Sequence, residues 1–343
     1  MSDPWTTGWF WADTVIKVAA VLAIMLPGAL ALIYAEVKVS AHMQHRVGPY
    51  YAGGRFGWAQ PLADGLKFIQ KEDLVPSAAD GLVFRLAPYV VIMSTLATFV
   101  VIPFGPDLVV RDLDLGAFYL LAISSLSTLG VLMAGWASAN KYSLIGGLRA
   151  AGQLIAYELP LLLAVVAVVV QAGTMSLPGI VDAQAETVFT VGGFDVALPF
   201  ILKGQIIGFT IFLIAAVAEL SRIPFDMPIA ESELTMGYLT EYSGLRFTMF
   251  FLGEYASMIS LAAVAATFYL GGYWLPGVSD SVLNVLGPGV LLAKVGLLCF
   301  VFIWIRWTWP RLREDQLQNL AWRWLIPLAL VNIVIAGILK VVL

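Results

Sequence analysis

Long apolar runs dominate the chain. Stretches at approximately 13–35, 82–104, 117–138, 153–172, 199–220, 247–270, 289–309 and 322–342 each approach or exceed the roughly 20 residues that cross a hydrocarbon core. They lack the ten-residue alternation of an outer-membrane barrel, so each reads as a helix that satisfies its own backbone groups. The pattern predicts an all-α, polytopic transmembrane helical bundle of about eight spans, one integral membrane domain over 1–343. Polar residues collect in two long loops, 36–81 and 221–246. In the first, Trp58, Leu62, Leu66 and Ile69 share a helical stripe, with Asp64, Lys67 and Lys71 on other sides. That spacing predicts an interfacial amphipathic helix. Arg46-Val47-Gly48-Pro49 and Gly53-Gly54 predict a tight turn just before it. No inverted internal repeat or low-complexity tract is present.

Composition narrows the class. Of 343 residues, 60% are hydrophobic and only 12% charged, with a mean hydropathy of +0.88. A soluble domain carries roughly twice that charge fraction, which excludes a cytosolic enzyme, a disordered chain and a nucleic-acid binder. The single cysteine, Cys299, and the two histidines, His42 and His45, exclude a disulfide framework, a four-cysteine zinc site, a cysteine-ligated iron–sulfur cluster and paired haem ligands. Any redox centre must come from a partner or be a diffusible molecule. The first fifteen residues carry an acid but no Lys or Arg, unlike a cleaved signal peptide, so the first span is expected to stay.

Charge placement gives orientation. Lys38, Arg46, Arg55, Lys67, Lys71, Arg85, Lys141, Arg149, Arg222, Arg246, Arg306, Arg311, Arg313 and Arg323 fall in or beside alternate loops, 14 of the 19 basic residues. By the positive-inside rule these loops face the cytoplasm and both termini lie outside. Lys17, Arg111, Lys203, Lys294 and Lys340 lie on or near the opposite side. Tryptophans at 5, 9 and 11, and at 304, 307, 309, 322 and 324, read as interfacial belts.

The acids do not follow insertion logic. Loop 221–246 holds Asp226, Glu231, Glu233 and Glu241 against only Arg222 and Arg246, with Pro224 and Pro228 shaping it. Glu158, just before Pro160, and Glu254 are expected about 9–11 Å below the inner boundary, and Glu219 ends the fifth span. A carboxylate at such depth costs about 2.5–3.5 kcal/mol on insertion scales, so it normally faces water or a partner. A solvated acidic loop with locally hydrogen-bonded span acids is the bland reading. A proton or cation path is the functional one.

Gln44-His45-Arg46-Val47-Gly48-Pro49, Gln60-Pro61-Leu62-Ala63-Asp64-Gly65-Leu66-Lys67 and Ile155-Ala156-Tyr157-Glu158 resemble the H-type membrane subunit of proton-pumping NADH–quinone oxidoreductase, respiratory complex I. Arg222-Ile223-Pro224-Phe225-Asp226, Glu231-Ser232-Glu233-Leu234, Glu241-Tyr242 and Glu254-Tyr255 extend the resemblance over nearly the whole chain. It implies a subunit with no complete active site of its own. NADH, FMN and iron–sulfur clusters would sit on hydrophilic partner subunits, and ubiquinone or menaquinone would be substrate. No metal, flavin or haem is expected on this chain. Further partners would be small membrane subunits and lipid, and the location a bacterial inner membrane rather than a mitochondrial one. The resemblance makes Gln44, Arg46, Asp64, Lys67, Arg222 and Phe225 quinone-side candidates. It places Glu158, Glu219, Asp226, Glu231, Glu233, Glu241 and Glu254 on an acidic proton path. Three positions depart from the family pattern: Glu36-Val37-Lys38 where Glu-Arg-Lys is common, Ser221 where Asn is usual, and Ile229 where an acid is frequent. The rival readings are a membrane subunit of a complex I-like hydrogenase, a stand-alone cation transporter and a purely structural anchor.

Overall fold

The computed structural model describes residues 9–191, 194–278 and 280–342. Trp5 therefore lies outside the described residues. Among those described, seven helical stretches are long and apolar enough to cross a membrane. They are α1 (Phe10–Met43), α3 (Gly81–Thr98), α4 (Gly116–Ala137), α5 (Lys141–Ala172), α9 (Gly244–Tyr269), α10 (Asp280–Thr308) and a final run through α11 (Glu314–Asn319), a π-helical Leu320–Leu325 and α12 (Ile326–Val342). The shorter elements are α2 (Gln60–Gln70), α6 (Leu177–Ala185), strands β1 (Thr187–Val191) and β2 (Phe194–Ala197), α7 (Ile206–Glu219) and α8 (Glu231–Leu234).

The helical bundle is as the apolar pattern predicts, with three differences. The fifth predicted span, 199–220, is helical only over α7, 14 residues or about 21 Å, which is shorter than a bilayer core of about 30 Å. The chain before it is turn, with Gly204 at φ +97° and Gln205 buried against Gln171 and Asn332. The fourth span begins twelve residues earlier than expected, because α4 and α5 are joined by a tight turn. Asn140 caps α5 by accepting from the Tyr142 N–H at 2.9 Å. The segment between the fourth and fifth predicted spans, 173–198, contains α6 and an antiparallel strand pair. Gln184 of α6 donates to the Thr267 carbonyl and accepts from the Phe200 N–H, sealing that end of the bundle.

α9 is the central post. Two thirds of its apolar window is buried, and it packs against α1, α3, α6, α7 and α10. Helix α1 is peripheral, with only 17% of its window buried. The surface helix α2 forms as predicted, and its stripe of Trp58, Leu62, Leu66 and Ile69 is exposed. The turn before it folds back onto α1 through Lys38 Nζ to the Pro49 carbonyl (2.5 Å) and Tyr34 Oη to the Phe56 carbonyl (2.7 Å).

Small residues bring loop 221–246 onto the bundle. Gly237 has φ +55°, and a Cβ there would meet the Pro228 carbonyl oxygen at 1.8 Å. A Cβ on Gly146 of α5 would meet the Gly237 Cα at 2.6 Å. Close approach of this kind is how membrane helices gain packing without a hydrophobic driving force. Gly146→Val is expected to push the loop off α5, destabilising the protein by about 1–3 kcal/mol as overpacking does. A lowered apparent Tm in detergent checks it.

Candidate functional site

A dense ionic cluster lies inside the bundle. Arg222, in the loop after α7, is buried, and its Nη1 donates to Glu36 Oε2 of α1 at 2.6 Å. Its Nε donates to Glu254 Oε1 of α9 at 2.9 Å. Arg306 of α10 donates to the other oxygen of Glu36. The Tyr255 ring lies 4.5 Å from the Arg222 guanidinium, a favourable cation–π distance. Two cations and two anions thus join α1, α9, α10 and one loop. Burial opposes the charge on Arg222, but Glu254 and Glu36 outweigh it and raise its pKa from the ordinary value.

Gln153 of α5 positions this arginine. Its Nε2 donates to the carbonyls of Ala218 (2.7 Å) and Phe225 (2.8 Å), holding both ends of the turn that carries Arg222. The Phe225 ring packs 5.1 Å from Tyr157, whose hydroxyl donates to the Leu317 carbonyl at 2.9 Å.

A cavity of about 500 Å³ opens beside the cluster, within the range of small-molecule sites. Arg222, Arg306, Arg311, Asp226 and Glu254 supply its polar wall, and Met236, Leu239, Phe247 and Phe251 its apolar one. Arg222 Nη2 is buried without an acceptor among the described residues. Glu254 also borders a hollow of about 60 Å³, shared with Glu219, Tyr238, Ser127 and Ser257. Glu219, Ser127 and Ser257 in turn border a hollow of about 30 Å³ lined by Ser94, Thr95, Thr98, Ser124 and Ser260. Both have room for at least one water among polar partners. Thr95 and Ser257 hydroxyls are 3.0 Å apart, and those of Thr98 and Ser260 2.7 Å. Glu158 lies within reach of Ser125, and its charge acts on Glu219. Burial, with Glu254 and Asp226 adding, raises the Tyr238 pKa and keeps its phenol protonated.

The predicted residues do not form one group. Arg222, Asp226 and Glu254 share the large cavity, while Phe225 is buried in the core behind it. Gln44 and Arg46 pair with each other at 2.7 Å on the exposed turn after α1. Asp64 and Lys67 lie 3.8 Å apart on α2, which adjoins the cavity wall through Phe68 against Phe247 at 5.7 Å. Glu233 is paired with Arg149 (2.8 Å) and Arg311 (3.6 Å), and Glu241 accepts from Asn140 at 2.5 Å. The Glu231 side chain lies outside what is described. Because α5 starts at Lys141 and α9 at Gly244, Glu158 and Glu254 stand roughly four to five and three turns into their helices, deeper along them than the apolar windows implied. Ile229 borders both the large cavity and the first hollow, the place where an additional acid would join the two.

Sequence reasoning missed Glu36 and Arg306. The apolar window ended at residue 35, whereas α1 continues to Met43. Helical continuation through Lys38 would have placed Glu36 inside a span. Among the described residues no three His, Cys, Asp or Glu side chains cluster as metal ligands.

Such an arrangement defines a class: a polytopic membrane protein with a charged cavity that shares Glu254 with the first of two small polar hollows. A family model described as NADH dehydrogenase matches residues 16–337. A protein of Syntrophobacter fumaroxidans (strain DSM 10017 / MPOB) named as an H-type subunit of NADH-quinone oxidoreductase is 47% identical over 343 residues, covering 97% of each chain. The chain belongs to the NADH dehydrogenase family.

Two outcomes follow from the ion pairs. Arg222→Met leaves Glu254 without its cation and Glu36 with Arg306 alone, and should cost about 3–5 kcal/mol, the scale for breaking a buried pair; adding Glu254→Gln should recover part of it in a thermal-unfolding cycle. The Arg149 hydrogen bond, with Arg311 beside it, lowers the Glu233 pKa below its ordinary 4.5. The attachment of loop 221–246 through Glu233 is then fully present above about that pH and lost as pH falls through the lowered value. Hydrogen exchange of the loop should rise in acid, and Glu233→Gln should remove that pH dependence.

Proposed function

We propose that this chain is the H-type membrane subunit of a proton-translocating NADH–quinone oxidoreductase, where it forms part of the quinone chamber and couples quinone reduction to proton movement. The observation that carries the reading is the succession of spaces linked by shared carboxylates: the large cavity, Glu254, the first hollow, Glu219 and the second hollow. Family membership and near-full-length similarity to a protein named for this role support it.

The substrate is a quinone, which takes two electrons from partner subunits and two protons to become a quinol. The 500 Å³ cavity has an apolar wall suited to its ring and methyl groups and an Arg222 N–H suited to its carbonyl oxygen. Negative charge arriving there is weakly screened in a low-dielectric interior, so it favours proton uptake by the carboxylates that face it. Glu254 contacts both this cavity and the first hollow, which makes it the entry to the path. Tyr238 and Ser257 then connect it to Glu219, and Glu158 lies beyond. Gln44, Arg46, Asp64 and Lys67 stand at the approach, on and beside α2. Asp226 faces the cavity, while Glu231, Glu233 and Glu241 belong to the loop that would gate it. In this reading the charged loops face the cytoplasm, both termini lie outside, and the membrane is a bacterial inner one.

Glu158→Gln and Glu254→Gln are expected to lower quinone-linked NADH oxidation by about a hundredfold, the lower end of general acid–base contributions. Ferricyanide reduction should be unchanged in both, and Glu158→Gln should leave assembly intact. Normal coupled activity in both would sink the proposal. Arg46→Ala should raise the KM for quinone with ferricyanide reduction intact; equal loss with both acceptors would point to failed assembly instead.

A further inference from the structure

Seven hydroxyls line the hollow of about 30 Å³ that borders Glu219. Each hydroxyl has a single proton to give. Ser94 and Thr95 of α3 donate theirs to the Val91 carbonyl at 2.8 and 3.1 Å. Thr98 donates to the Thr95 carbonyl at 2.7 Å, and Ser124 of α4 to the Leu121 carbonyl at 3.0 Å. With the Thr95 and Thr98 protons committed, Ser257 of α9 donates to the Thr95 hydroxyl at 3.0 Å and Ser260 to the Thr98 hydroxyl at 2.7 Å. Six of the seven protons are thus held by protein acceptors, and the wall turns lone pairs to the hollow. The carboxylate of Glu219 adds to that acceptor surface. Among the described residues, no Lys or Arg lines this hollow or the neighbouring one that Glu219 also borders. The charge that acts on Glu219 is that of Glu158, another acid.

We propose that this hollow binds one sodium ion, held by the Glu219 carboxylate and by hydroxyl oxygens of α3, α4 and α9. Ser257 and Ser260 stand about four turns into α9, a depth at which a bare carboxylate is costly and a matching positive charge is favoured. A water in the hollow could donate to two of the oxygens and would leave the others unmet. A cation satisfies several at once, because hard oxygen donors replace its hydration shell. One carboxylate balances one positive charge, and a divalent ion would leave a surplus charge in a weakly screening interior. The space is about that of one or two waters, which suits sodium better than the larger potassium ion.

Sodium occupancy does not require the proton-path reading, so its tests read binding and unfolding rather than turnover. The whole complex, purified in mild detergent and exchanged into choline chloride, should bind one more radioactive sodium ion per complex than Glu219→Gln or Thr98→Val/Ser260→Ala, which keeps the carboxylate. Thr98→Ser, which keeps the oxygen, should bind sodium as the wild type does. Sodium chloride should raise the apparent Tm of the wild type progressively with concentration, as linkage requires, while matched potassium chloride should not. Thr98→Val/Ser260→Ala should lose that shift, read against its own Tm in choline chloride so that lost stability is not mistaken for lost binding. Equal sodium in all variants, loss in Glu219→Gln with retention in the double variant, or equal shifts from sodium and potassium would overturn the proposal.

Discussion

A guanidinium taken out of water must be matched where it sits, and the bundle is arranged around that demand at Arg222. Glu36 and Glu254 approach it from two helices, and Arg306 balances the second oxygen of Glu36 from a third. Removing any one member leaves an uncompensated charge, so the cluster constrains the relative positions of α1, α9 and α10 more tightly than apolar contact would. Small residues then let loop 221–246 press close enough to deliver Arg222 to its partners. Packing and electrostatics are one constraint here.

The carboxylates divide by company. Glu36, Glu233 and Glu254 have arginine partners, and Glu241 has an asparagine donor. Glu219 and Glu158 instead have serine hydroxyls and each other nearby. A paired acid resists changing its protonation state, whereas an acid among hydroxyls and small water-sized spaces can exchange a proton with modest rearrangement. Glu254 belongs to both groups, since it bonds Arg222 and borders the first hollow. In the proposed coupling, that dual membership is what would carry a charge change in the large cavity to Glu219 and Glu158.

Hydropathy made the spans legible because each crossing must be apolar along most of its length. It could not fix helix ends: α5 extends through Lys141 and Arg149, and α1 through Glu36 and Lys38, since helix formation tolerates charged residues that a hydropathy window rejects. The fifth span differs the other way, because Phe200, Ile201 and Leu202 let residues 199–205 pass a hydropathy window without being helical. Charge placement identified the acids, yet it treated Arg149, Arg306 and Arg311 as topology signals. Their pairing with Glu233 and Glu36 joins residues far apart in the chain, and no local spacing encodes it.

Gln153 ties the ends of the Ala218–Phe225 turn with one amide group. Each of its two N–H groups holds one end, so both ends are referred to the same side chain. Moving that one side chain would free the Ala218 and Phe225 carbonyls together, so the placement of the Arg222 turn depends on where α5 sets a single amide.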